Sequence, residues 1–161
     1  MRRMAPIFLA SLLLLAGCGS SSKSLQATST GPSVASFKTA FATQKKTLTS
    51  LGNDVGAAVE GANRKTDVQL AKQFEGLATR ATALAGSMAQ LEPPTQFKVE
   101  LSSLESALTQ VAGTLRQIEA AAAAHDANAA KAGGEAIVTD AQQVKAIETT
   151  LSQKLGLPVG Q

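Results

Sequence analysis

The chain has 161 residues, with 15 Lys and Arg against 12 Asp and Glu, one His, one Cys, and neither Trp nor Tyr. A lone cysteine cannot form an internal disulfide, so the fold rests on packing. Beyond the first few residues only Lys45-Lys46 and Arg64-Lys65 are adjacent cations; the lack of a basic stripe and of Trp or Tyr for base stacking argues against a nucleic-acid partner.

Met1-Arg2-Arg3-Met4 is a basic start, and the apolar run from Ile7 to Leu15 that follows is too short to span a bilayer as a helix. Ala16 and Gly17 then lead into Cys18, and this order of basic, apolar and small segments is that of an export signal. Leu15-Ala16-Gly17-Cys18 resembles the lipobox of bacterial lipoproteins. The resemblance implies that the Cys18 thiol receives a diacylglycerol, that a peptidase cuts between Gly17 and Cys18, and that the new amino group is often acylated as well. Residues 1–17 would then be a cleaved signal peptide, and losing Arg2 and Arg3 lowers the cation excess from three to one. Two or more acyl chains hold a protein on a membrane stably where one does not. The expected location is the extracytoplasmic side of the cell membrane. In a two-membrane host the outer membrane is a further destination, since Gly19 is not the Asp that retains lipoproteins on the inner one.

From Cys18 to Pro32 the sequence is rich in Ser, Thr and Gly and poor in apolar residues, which predicts a flexible tether with a reach of about 20 Å. After Pro32 the pattern turns helical. Val34, Phe37, Phe41, Leu48, Leu51, Val55 and Val59 mark a first stripe; Leu70, Phe74, Leu77, Ala81, Leu84, Met88 and Leu91 mark a second. Phe97, Leu101, Leu104, Leu108, Val111, Leu115, Ile118 and Ala122 make the third, and a weaker fourth runs through Ile137, Ala141, Val144, Ile147, Leu151 and Leu155. Spacing by threes and fours places each set on one helix face.

Ser33, Thr66 with Gln69, Thr95 and Asp126 are predicted N-terminal caps, and Pro93-Pro94 separates the second helix from the third. The expected helices cover about 33–61, 66–91, 95–124 and 127–155 of a domain 33–157, with a tail at 158–161. Short connections favour antiparallel neighbours, hence an all-α, up-down-up-down four-helix bundle. Gly52-Asn53 with Gly56 either breaks the first helix or, as preferred, lets an unbroken helix approach a neighbour closely. Gly133-Gly134 can delay the start of the fourth. Phe37, Phe41, Met88, Leu91, Phe97, Leu101, Leu151 and Leu155 should meet at one end of the bundle. Leu70, Phe74, Leu115, Ile118 and Ile137 should meet near the other.

Donors for chemistry are sparse. His125 falls at a turn beside Asp126, and Met88 lies near the opposite turn, about a helix length or roughly 40 Å away. Glu75, Glu100, Glu105, Glu119, Glu135 and Glu148 avoid the apolar stripes and read as the solvated face. No metal, cofactor or catalytic residue is assigned, and an enzyme is not expected. Pro93-Pro94 followed by Phe97, Leu101 and Leu104 is similar to a feature of small, Ala-rich, all-helical lipoproteins of actinobacterial type, a resemblance that carries no activity. The expected role is that of an anchored interaction or envelope structural module, with an envelope protein or a second copy of the chain as partner. The alternative is a carrier or sensor for an apolar or lipid ligand, held in a groove around the small residues Ala121, Ala130 and Gly133 and beside Ile137.

Overall fold

The computed structural model describes residues 32–159. Expectations placed on residues 1–31, including the processing of Gly17 and Cys18, lie outside the described residues. The described residues belong to one compact unit with a single hydrophobic core.

The fold is all-α, with four helices and no strand among the described residues: α1 Val34–Glu60, α2 Asp67–Ala89, α3 Lys98–Ala123 and α4 Ala127–Lys154. Local chemistry sets most of the ends. Ser33 Oγ accepts from the Ser36 amide at 3.1 Å and starts α1. Thr66 and Gln69 form a reciprocal capping box at 3.3 and 3.1 Å at the start of α2. Asp126 accepts from the amides of Asn128 and Ala129 and starts α4.

Thr95 departs from expectation. It opens a 3-10 turn, Thr95–Phe97, and α3 begins at Lys98 without a side-chain cap. The turn drops Phe97 into the core, where its ring stacks on Phe37 at 5.6 Å. Aromatic burial outweighs one capping hydrogen bond of about 1 kcal/mol.

Two helices end alike. Past α3, the His125 and Asp126 amides donate to the carbonyls of Ala122 and Ala121; past α4, those of Gly156 and Leu157 donate to Gln153 and Ser152. Both are Schellman closures, in which the residue after the cap takes a positive φ. Gly156 does so at 60°, and His125 fills the same role at 58°.

The glycines behave differently from the reading of the sequence. α1 runs unbroken through Gly52 and Gly56, yet a Cβ at either would meet nothing within 4 Å, so neither marks a close approach. The close approach is at Gly133, where a Cβ would fall 2.6 Å from Ile118 Cγ1. α4 does not wait for Gly134 but begins at Ala127.

Phe37, Phe41, Met88, Phe97, Leu101, Leu151 and Leu155 are all buried, with Leu91 half-buried against them. Phe74, Leu115, Ile118 and Ile137 are buried too, and Leu70 is half-buried. Val34 and Ala141, two stripe positions, are exposed instead. Polar pairs tie the helices in register. Glu100 bonds Lys154 and Thr114 bonds Asp140 across α3 and α4; Arg116 bonds Thr82 across α3 and α2; Asp54 pairs with Arg80 across α1 and α2. Packing is closest between α2 and α3 and between α3 and α4, whereas α1 and α4 touch little.

Candidate functional site

Where α1 and α4 stand apart, a groove of about 320 Å³ opens between them and is closed beneath by α3. Leu48, Leu51 and Val55 come from α1, Leu108 and Val111 from α3, and Ile137 and Val144 from α4. The three-four spacing that makes a helix amphipathic sends these seven side chains to one apolar floor. Gly52 and Ala141 line the groove as well, and their small size leaves it unfilled. Lys45, Thr49 and Asn53 form the α1 lip, facing Lys145, Glu148 and Thr149 on α4.

One end of the groove is latched. Lys45 Nζ lies 2.8 Å from Glu148 Oε1 and 3.1 Å from Ser152 Oγ, and the Ser152 hydroxyl donates to the same carboxylate oxygen at 2.5 Å. Ser152 is fully buried and Glu148 nearly so. Lys45 also donates to the Pro158 carbonyl, and Lys38 to that of Gly156 at 2.9 Å, so two α1 lysines hold the segment that follows α4. Among the described residues Lys145 makes no ion pair.

This corrects the reading of the glutamates. Glu148 belongs to a buried polar cluster and Glu100, Glu105 and Glu119 are half-buried, so of the six only Glu75 and Glu135 are exposed. The hydrogen bond from Lys154, joined by one from the backbone, holds the Glu100 carboxyl below the usual glutamate range. Asp140, which nothing in the sequence singled out, is buried and accepts from Thr114 Oγ1 at 2.6 Å and from Gln110 at 3.3 Å. The signal for it was faint: an acidic residue three positions after Ile137 and four before Val144, on the inner face of α4.

The small-residue set is only partly brought to the groove. Ile137 lines it. Ala121 is buried, Ala130 is half-buried, and Gly133 is seated against Ile118 in the α3–α4 contact. Small side chains there give closer helices, and the open space lies instead beside Gly52 and Ala141. His125 is exposed at the α3–α4 turn, with Nδ1 2.6 Å from Asp67 Oδ2 at the start of α2. No three of His, Cys, Asp and Glu gather in a metal-holding group among the described residues.

Fold and groove together define an all-α bundle with an apolar cleft between its first and last helices. No protein-family model, no curated protein and no solved structure matches the chain.

Proposed function

We propose that this chain is a lipid-anchored, non-enzymatic helical module of the bacterial cell envelope that works by binding, with the groove between α1 and α4 as the binding surface. The carrying observation is that groove, concave, apolar-floored and polar-lipped, as small-molecule sites are. Of the two modes expected from the sequence, a protein contact or an apolar ligand, it favours the second.

Attachment through Cys18 is supported by Leu15-Ala16-Gly17-Cys18 and the basic and apolar segments before it. Among the described residues no helix is long and apolar enough to cross a membrane; in this reading the lipid on Cys18 is the means of residence. The up-down-up-down path belongs to the same proposal, supported by pairs such as Lys38 with Gly156 and Glu100 with Lys154, which join the start of one helix to the end of another.

The test uses protein extracted from its native membrane. Intact mass should give a polypeptide beginning at an acylated Cys18. A photoactivatable apolar probe should label peptides of α1 and α4 at the groove. A bare thiol or retained residues 1–17 would remove the anchoring, and labelling spread evenly over the surface would remove the groove.

A further inference from the structure

We infer that the groove takes a single-chain amphiphile with an anionic head, its acyl chain laid along the apolar floor and its head held at Lys145. This rests on the groove being the binding surface and specifies what enters it.

Charge carries the inference. Among the described residues Glu148 is the only acid in the groove lining, and its charge is met by Lys45 at 2.8 Å. Lys145 is the one cation of that lining without an ion pair among the described residues, which leaves the lips with a single net positive charge. A cationic head would find no free carboxylate there. A neutral head would find only hydroxyl and amide groups such as Thr49, Asn53 and Thr149. An anionic head gains a charge-assisted hydrogen bond, the stronger kind.

Shape selects the tail. The floor is aliphatic, from Leu51 and Val55 to Ile137 and Val144, with no aromatic ring to stack a flat ligand. Its volume of about 320 Å³ is at the small end of the roughly 300–1,000 Å³ of ligand pockets, which suits one acyl chain and not the two of a diacyl lipid. The source is a free fatty acid or lysolipid rather than the acyl group carried by the chain itself.

The polypeptide from Gly31 on keeps the whole described core and has no Cys18, hence no acyl group of its own, so what it binds is free ligand. It is titrated with a fluorescent polyene fatty acid and with the matching alcohol. The acid should bind saturably, one per chain, about tenfold more tightly than the alcohol. Lys145→Gln should bring the acid to the level of the alcohol and leave the alcohol unchanged. Gly52→Leu, which fills open space, should abolish both while the helical circular dichroism persists; Ala141→Leu on the opposite wall serves if that variant does not fold. Equal binding of acid and alcohol, or no response to Lys145→Gln, overturns the anionic head and leaves the groove standing. Failure of both ligands to bind overturns head and groove together, as does binding that survives both filling substitutions.

Discussion

At Gly133 an added methyl group would fall 2.6 Å from Ile118 Cγ1, and Ile118 is itself buried and held by its neighbours. At Gly52 the same methyl group would stand in open space. Both glycines are inside helices, where alanine is intrinsically better by about 1 kcal/mol. Gly52→Ala should therefore raise stability by about that amount. Gly133→Ala should lower it by about 1–2 kcal/mol net, because overpacking outweighs propensity. Urea unfolding of the two variants measures both signs, and equal shifts would contradict the packing described. Sequence alone could not tell these glycines apart, since the difference lies in a partner 15 positions away along the chain. Glu148 and Asp140 were illegible for a related reason. A carboxylate reads as solvated until the lysine or hydroxyl that meets it is seen, and Lys45 and Thr114 are on other helices.

Among the elements, α1 is the one held by chemistry as much as by packing. Its contact with α4 is concentrated at Lys45, Glu148 and Ser152, with side-chain exposures of only 15% and 12% for the ion pair. Lys45→Met would strand a nearly buried carboxylate and should cost about 2–3 kcal/mol, somewhat below the 3–5 of a fully buried pair. Lys154→Met, whose ammonium is half exposed beside Glu100, should cost clearly less. Denaturant midpoints of the two variants decide this, and similar losses would show that the latch is not special. The helices themselves were readable, because caps and stripes are local: Ser33, Thr66 and Asp126 act where short-range chemistry put them. Thr95 was misread because the burial of Phe97 against Phe37 is a distant contact that moved the helix start.

Across the whole molecule stability is unevenly shared. α3 packs closely on both α2 and α4, whereas α1 leans mainly on α2 and leaves a cleft beside α4. Native-state hydrogen exchange should find the slowest amides in the middle of α3, around Leu104 to Leu115, and faster exchange in α1 near Gly52. Uniform protection over all four helices would contradict that ranking. The cleft was the least legible feature, since it is made by what α1 and α4 do not fill, and a stripe pattern records only what is apolar. The stitching of α1 to the segment after α4 also fixes where the bundle begins and finishes: Lys38 grips Gly156 and Lys45 grips Pro158. The last described residues thus lie along the first half of α1, a full length of α4 away from the turn that bears His125, and a label on one would leave the other unencumbered.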